Sequence, residues 1–251
     1  MLLAVDVGNT RIKATVFEGT VVLEQFILDG SDVIKDFGVI MKSRPGITDL
    51  VIASVGNVGV DAFLSLSKGI NIHILDHKSA FPFENLYKTP YTLGIDRMVL
   101  AAGAVLAYPK QNRLVIDAGT CVTYDFIDAA DHYLGGAISP GIRLRYEALH
   151  GYTAHLPLLS LDEQWLNDGV KTSLIGNSTA ESIHSGVING MVNEIDGFIA
   201  QYKDLYSNFI IILTGGDAEV LAKRLKNTIF ANSNFLLESL NQTYLYKIQN
   251  D

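Results

Sequence analysis

Cysteine is almost absent from this chain, and several familiar active-site patterns are absent with it. Cys121 is the single cysteine among 251 residues, which excludes an internal disulfide framework and a cysteine-based zinc site. The six histidines form no HExxH pattern and show no Cys/His spacing typical of zinc sites. The sequence contains neither GxxxxGK[ST] nor GxGxxG, so it is not a P-loop protein and offers no Rossmann dinucleotide fingerprint.

Positive charge and long apolar runs are also scarce. The formal net charge is −8, and no cluster of five or six basic residues occurs, so we expect no nucleic-acid partner. No run of about 18 uncharged apolar residues is present, and Asp6 interrupts the first apolar stretch, so we expect neither a membrane span nor a secretory signal. Charged residues make up 18% and hydrophobic residues 48%, which favours a well-filled core and a buried subunit contact. These features together predict a cytoplasmic protein.

A short motif occurs twice in the chain. The segments LLAVDVGNTRIK and RLVIDAGTCVTYDF both place Asp-x-Gly after an apolar run and before an alternating strand pattern. Asp6 and Asp117 are 117 − 6 = 111 residues apart, close to half the chain. This spacing predicts a duplicated structural unit.

The chemistry of this turn suits phosphate. A strand that ends in Asp-x-Gly and folds straight back exposes backbone N–H groups to phosphate oxygens, and glycine allows close approach. An aspartate there can hold a cation, directly or through water. Either copy alone could equally be an ordinary β-turn with aspartate side-chain bonding. Two copies at half-chain spacing make coincidence much less plausible, and two facing turns could hold a nucleotide's phosphates across a cleft.

The patterns along the chain predict two similar α/β halves, residues 1–112 and 113–251. Each half opens with strands around its Asp-x-Gly turn. The first half continues through a strand at 50–56 and a short helix at 60–67, and it ends in a helix at 96–108. In the second half, Ser178 and Glu181 form a capping-box pattern at the start of a long helix. The segment FIIILTGGDAEVLAKRL then predicts a strand, a glycine turn and a helix.

Three motifs resemble those of a known superfamily. DVGNTRIK, DAGT and TGGDA are similar to the two phosphate motifs and the adenosine motif of the sugar kinase, Hsp70 and actin superfamily. The resemblance implies two actin-like ATPase (ribonuclease H-like) halves, each a mixed sheet flanked by helices, with a cleft between them. It also implies ATP binding with Mg²⁺.

A further set of motifs resembles one family within that superfamily, the type III pantothenate kinases. YKTPYTLGIDR at 87–97 is similar to the family's Tyr-x-x-Pro-x-x-Leu-Gly-x-Asp-Arg signature, and GGAISPG and GNSTAESIHSG resemble other family segments in the same order. The resemblance implies ATP-dependent phosphorylation of pantothenate to 4′-phosphopantothenate, the first intermediate on the route to coenzyme A. It also implies a homodimer with the pantothenate site near the dimer contact.

The resemblance assigns roles to individual residues. Asp96 would be the general base, and Asp117 would bind a monovalent cation, K⁺ or NH₄⁺. The residues expected to hold ATP are Asp6, Val7, Gly8, Asn9, Thr10, Arg11, Ile12, Lys13 and Thr120. The residues expected to bind pantothenate are Tyr87, Gly94, Ile95, Asp96, Arg97 and Thr179.

General chemistry is compatible with these roles but leaves alternatives open. A carboxylate about 3 Å from a hydroxyl can orient and deprotonate it, and an arginine beside it can grip a carboxylate through a bidentate fork. Asp96 could instead be a first-turn aspartate favoured by the helix dipole, and Thr179 could be part of the neighbouring cap. Arg11 could lie on a solvated face. Two other functions remain possible: another small-molecule kinase with a sugar or carboxylate acceptor, or an actin-like ATP switch.

Overall fold

The structure, a computed structural model, describes residues 1–8, 11–28, 33–54, 63, 69–160 and 172–250. Its strands are β1 Leu2–Val7, β2 Ile12–Glu18, β3 Val21–Leu28, β4 Asp49–Ser54, β5 Asn71–Ile74, β6 Glu84–Asn85, β7 Arg113–Ala118, β8 Cys121–Ile127, β9 His132–Pro140, β10 Ile210–Thr214 and β11 Phe230–Ala231. Its α-helices are α1 Val33–Ser43, α2 Ile95–Ala107, α3 Ile142–Gly151, α4 Thr179–His184, α5 Gly190–Leu205, α6 Ala218–Ala222 and α7 Phe235–Asn250.

The strands form two sheets with the same order. The first sheet runs β3-β2-β1-β4-β5, and the second runs β11-β10-β7-β8-β9-β6. Read from its other edge, the second sheet puts β9, β8, β7, β10 and β11 in the places of β3, β2, β1, β4 and β5. In the first sheet, β1 is antiparallel to β2 and parallel to β4. The predicted α/β class, with two similar mixed-sheet halves, is confirmed.

The first sheet is covered on both faces. Every residue of β1 is buried, as expected for a central strand with helices on either side. Leu3, Val5 and Val7 face a core that α1 completes with Phe37 and Ile40. Side chains alternate between the two faces of a strand, so Asp6 lies on the opposite face of the sheet. Helices α2 and α7 pack against that face. The turn after β1 therefore presents its aspartate on a different face from the apolar core residues.

The second sheet has its own core. Its strands contribute a buried apolar set that α3, α4, α5 and α6 cover from one face: Leu114, Ile116, Ala118, Val122, Tyr124, Phe126, Ile211 and Leu213. Met191, Ile195 and Ile199 repeat at helical spacing along α5 and supply much of the covering layer. Because Ala118 belongs to this core, the neighbouring Asp117 points to the opposite face.

Two compact units follow from these contacts. Unit 1 comprises Met1–Lys110, Ile127–Gly135 and Asn234–Asp251, and unit 2 comprises Gln111–Phe126 and Gly136–Ser233. The first boundary falls beside the predicted division at residue 112, but two later segments belong to unit 1. The segment 127–135 pairs with β6, and α7 packs on α2 and on the first sheet. Both associations join residues far apart in sequence, which local patterns do not reveal.

The long helix predicted after the capping box is observed in three parts. Helix α4 passes into a π-helical turn at Ser185–Asn189, and α5 begins at the next residue, Gly190. Ser178 accepts a hydrogen bond from Glu181 N at 3.3 Å, which confirms the predicted cap. The predicted helix at 60–67 lies outside the described residues, apart from Phe63. Within the described part of the chain, no helix is long and apolar enough to cross a membrane.

Candidate active site

The first Asp-x-Gly turn closes the hairpin between β1 and β2. Gly8 N donates to Arg11 O at 3.2 Å, and a Cβ added to Gly8 would lie 3.0 Å from that same carbonyl. Asp6 is buried and stands opposite Lys13 in the antiparallel register. Arg11 is exposed. The turn thus carries a carboxylate and two cationic side chains at the end of a rigid strand.

The other predicted residues of this turn divide into two groups. Val7 and Ile12 are buried in the core of unit 1, so their side chains anchor the two strand ends that flank the turn. Asn9 and Thr10 lie outside the described residues.

The second Asp-x-Gly turn lies between β7 and β8 and is held by two other motifs. Gly141 N donates to Thr120 O at 3.0 Å, and Asp217 N donates to Ala118 O at 3.0 Å. Gly215 has φ of +97°, and a Cβ there would collide with the Ala118 carbonyl and the Asp117 carboxylate. The structure therefore brings the DAGT, SPG and TGGDA segments into direct contact within unit 2.

Oxygen donors gather at the end of β7. Thr214 is the register partner of Asp117 on the parallel strand β10, so both side chains share one face of the sheet. The Thr214 hydroxyl is buried and has no hydrogen-bond partner among the described residues. An all-oxygen donor set of this kind fits a hard cation. The described residues contain no group of three His, Cys, Asp or Glu side chains placed to hold a metal ion, so phosphate or water would supply the other ligands.

The TLGIDR segment forms the start of α2. Gly94 is the N-cap residue, and a Cβ there would collide with the Asp96 carboxylate. Asp96 Oδ1 accepts a hydrogen bond from Arg97 N at 2.8 Å, within the first turn of the helix. The positive end of the helix dipole stabilises a carboxylate at this position. Ile95 is buried, so its side chain packs inside the protein.

Arg97 and Tyr87 lie next to each other in unit 1. Arg97 is only 6% exposed, and its Cζ lies 5.9 Å from the centroid of the Tyr87 ring, at the outer limit of a cation–π contact. The Tyr87 ring also meets Tyr133 edge-on with a centroid distance of 6.1 Å. A Cβ on Gly135 would lie 3.3 Å from Tyr87. Gly135, the first glycine of the GGAISPG segment, therefore leaves room for the Tyr87 ring.

Thr179 lies in unit 2 at the first turn of α4 and is exposed. Together with Asn177 and Ser178 it lines an open depression of about 700 Å³, whose apolar wall includes Leu149 and Ile183. Ser178, not Thr179, supplies the cap hydroxyl. The Thr179 hydroxyl is therefore not part of the cap.

A second cavity, of about 380 Å³, lies beside Asp217 of the TGGDA segment. Tyr146, Ile142 and Leu159 form part of its wall. Tyr146 is held by a 2.7 Å hydrogen bond between its hydroxyl and His184 Nδ1, and burial raises the pKa of its hydroxyl to about 12. The cavity therefore combines an apolar, aromatic part with polar residues, among them Arg143, Glu147 and Asp217.

One polar cluster near the second turn was not found from the sequence. Glu194 on α5 accepts hydrogen bonds from Ser139, Arg145 and Tyr124. Ser139 lies 55 residues from Glu194 along the chain, and Arg145 lies 49 residues away. No local pattern links residues at such separations.

The comparison with protein families decides the identity of the chain. The model of the type III pantothenate kinase family matches residues 2–201. The chain belongs to the type III pantothenate kinase family. Among the relatives, a type III pantothenate kinase from Flavobacterium johnsoniae is 66% identical over 251 residues and covers 100% of both chains. The family resemblance of the six sequence motifs is therefore confirmed.

Solved structures support the fold. A Campylobacter jejuni protein assigned to the Baf family of transcriptional activators has a TM-score of 0.62 at 20% identity, over 98% of this chain and 99% of its own. A protein from Cytophaga hutchinsonii, assigned as a sugar kinase, has a TM-score of 0.50 at 14% identity, over 98% of this chain and 99% of its own. Identities this low show the fold and nothing about the reaction.

Proposed function

We propose that the chain transfers the γ-phosphoryl group of ATP to the primary hydroxyl of pantothenate, with Asp96 as general base. Membership of the type III pantothenate kinase family carries the reaction: the product is 4′-phosphopantothenate, on the route to coenzyme A. The individual residue roles are our proposals, and they rest on the geometry of the two units.

The two Asp-x-Gly turns supply contacts to the ATP phosphates. Phosphoryl transfer proceeds through a loose transition state, so positioning and charge neutralisation dominate catalysis. In the first turn, Lys13 and Arg11 offer cationic side chains. In the second, Thr120 stands at a turn that two other segments fix through backbone hydrogen bonds. A rigid donor array needs little reorganisation when charge develops.

The cavity beside Asp217 is our candidate for the adenine base. The Gly-Gly turn that precedes Asp217 packs directly on the phosphate turn at Ala118, so nucleotide and phosphate contacts would be continuous in unit 2. The volume of about 380 Å³ lies in the range of small-molecule sites, and Tyr146 gives an aromatic wall.

Asp96 and Arg97 are our candidates for the pantothenate side. Asp96 is partly exposed at the start of α2, where it can accept the proton of an acceptor hydroxyl. Arg97 can pair with the pantothenate carboxylate, and Tyr87 holds the guanidinium beside it. Gly94 and the backbone of Ile95 complete this segment. Thr179, which lines the depression in unit 2, stays a proposed pantothenate residue on the family resemblance alone.

Cations complete the proposed site. Asp117, with the unpartnered hydroxyl of Thr214 beside it, is our candidate for a monovalent cation, K⁺ or NH₄⁺. Mg²⁺, when bound with ATP, would neutralise charge on the phosphate oxygens. The cytoplasmic location and the homodimer remain predictions.

The decisive experiment is a coupled assay of ADP release from the purified chain, with MgATP, KCl and pantothenate. We expect release to depend on pantothenate and the product to gain the mass of one phosphoryl group. Parallel reactions with glucose, N-acetylmannosamine, acetate or no acceptor serve as controls. ADP release that needs a sugar or acetate and ignores pantothenate would contradict the proposal, as would release that no acceptor stimulates. Replacing K⁺ by Na⁺ in the same assay tests whether activity requires K⁺ or NH₄⁺. Full activity in sodium alone would contradict that requirement.

A further inference from the structure

We infer that Glu194 is a positioning residue for the second phosphate turn and acts through Ser139 and Arg145. The inference rests on the proposed function, in which that turn contacts ATP through Thr120. Glu194 belongs to α5, and nothing in the family motifs quoted above includes it.

Both oxygens of the Glu194 carboxylate are occupied. Oε2 accepts from Arg145 Nη2 at 2.6 Å. Oε1 accepts from the Ser139 hydroxyl at 2.5 Å and from the Tyr124 hydroxyl at 3.1 Å. Three donors from three different elements, β8, β9 and α3, therefore converge on one side chain of α5.

The network continues to the phosphate turn through the backbone. Arg145 also donates from Nε to Pro140 O at 2.8 Å, so Ser139 and Pro140 are both tied to the Glu194–Arg145 pair. The next residue, Gly141, donates its N–H to Thr120 O at 3.0 Å. A Cβ on Gly141 would collide with the carbonyls of Gly119 and Thr120, which shows how closely the two backbones pack. The segment Ser139–Gly141 thus transmits the position of Glu194 to the turn.

Charge and burial make this network stronger than an exposed ion pair. The side chains of Arg145 and Glu194 are 19% and 26% exposed. Burial acts to raise the pKa of Glu194, but the hydrogen bonds from Arg145 and Ser139 outweigh it, and the pKa lies below the ordinary value. Charge-assisted hydrogen bonds are shorter and stronger than neutral ones. Neutralising Glu194 would leave Arg145 half-buried without its charge partner.

A second side chain of α5, Phe198, contacts the same network as Glu194. Phe198 follows Glu194 by one helical turn and stacks on the Tyr124 ring with a centroid distance of 4.2 Å. Tyr124 is therefore held at its ring by Phe198 and at its hydroxyl by Glu194. The π-helical turn Ser185–Asn189 directly precedes α5.

The test is the Glu194→Gln variant, which keeps the size of the side chain and removes its charge. We expect the affinity for a non-hydrolysable ATP analogue, measured by calorimetry, to fall about tenfold, and KM for ATP to rise in parallel. KM for pantothenate should stay within about twofold, because the proposed pantothenate residues Asp96 and Arg97 belong to unit 1, whereas this network belongs to unit 2. Arg145→Lys keeps the charge but lacks the planar fork that bonds both Glu194 and Pro140, so it should lower ATP affinity in the same way.

Controls separate positioning from general destabilisation. Glu24→Gln makes the same change in an Arg–Glu pair of 2.7 Å, with Arg44 in unit 1, and should leave ATP affinity within about twofold. The double variant Glu194→Gln/Arg145→Lys should bind ATP no more weakly than the worse single variant, since both act through one path. If Glu194→Gln does not fold, Ser139→Ala takes its place, because it removes one hydrogen bond to the same carboxylate. Its ATP affinity is then compared with that of the wild type.

Two results would overturn the inference. One is unchanged ATP affinity in Glu194→Gln, or in Ser139→Ala if that variant is used. The other is an equal loss for ATP and pantothenate together with a lowered melting temperature, which would show a merely structural role. The calorimetric measurement uses nucleotide alone, so a wrong acceptor in the proposed function would not affect it.

Discussion

At the scale of single residues, the start of α2 shows how two neighbouring side chains take different environments. Asp96 is partly exposed and bonded to the backbone of the residue after it, whereas Arg97 is buried beside Tyr87. The helix period separates them by about 100° around the axis. In the proposed reaction, Asp96 would meet the acceptor hydroxyl and Arg97 would pair with the carboxylate of the same substrate.

The first prediction concerns Asp96. Asp96→Asn keeps the backbone bond and the shape of the side chain but removes the base, so kcat should fall by about 10²–10⁴-fold. ATP-analogue affinity should stay within about threefold, because the proposed phosphate contacts are elsewhere. Steady-state kinetics and calorimetry measure the two quantities.

The control for this variant is Asp36→Asn, which changes another first-turn aspartate of a helix in unit 1. It removes a helix-dipole interaction of the same kind without touching the candidate base. Turnover of Asp96→Asn equal to that of Asp36→Asn would reject the assignment of Asp96.

At the scale of elements, the second phosphate turn is built by three segments that are distant in sequence. The strand β7 ends in it, Gly141 at the start of α3 packs on it, and the turn after β10 supports it from beside Ala118. Gly141 has φ of −72°, which any residue adopts, so glycine is needed there for space and not for conformation. Gly215, at φ +97°, is needed for both reasons.

The second prediction concerns this packing. Gly141→Ala should displace the turn, lower ATP-analogue affinity by about tenfold or more, and destabilise the protein by about 1–3 kcal/mol. Gly151→Ala, at the other end of the same helix, places its methyl group in open space and serves as the control. Calorimetry and urea unfolding of both variants test the expectation, and equal ATP affinities for the two would contradict it.

At the scale of the whole molecule, α7 returns to the first sheet at the end of the chain. Tyr244 of α7 is a hydrogen-bonding neighbour of Asp49 on β4, and burial followed by that bond raises the pKa of Tyr244 to about 12. Asp49 also accepts bonds from Thr48 at 2.7 Å and Asn71 at 3.1 Å. Burial acts to raise the pKa of Asp49, but the hydrogen bonds outweigh burial and hold this pKa below 3.8. The carboxylate therefore links the C-terminal helix to the sheet in its ionised form.

The third prediction concerns the acid side of the stability curve. A carboxyl group whose pKa is lower in the folded state stabilises the fold above its unfolded value, 3.8, and loses that contribution as the pH falls through its folded value. Asp49→Asn should therefore lower the melting temperature at pH 6–7. The difference in melting temperature between this variant and the wild type should become smaller as the pH falls to about 3. Asp36→Asn is the matched control for the change of side chain. A gap that is constant from pH 7 to pH 3 would contradict the expectation.

The sequence by itself determined the repeat, the strand patterns around each Asp-x-Gly turn, the cap at Ser178 and the family. These features are local: apolar alternation, turn residues and short motifs express themselves within a few residues of the chain. Asp96 and Arg97 could be singled out because they are adjacent within one motif.

Only the tertiary structure decided the rest. It assigned residues 127–135 and α7 to unit 1, explained the glycines at 141 and 215 by close backbone approach, and brought Glu194 to Ser139 and Arg145. Each of these depends on contacts between residues tens to hundreds of positions apart. Burial and packing select such contacts during folding, and no periodicity in the chain encodes them.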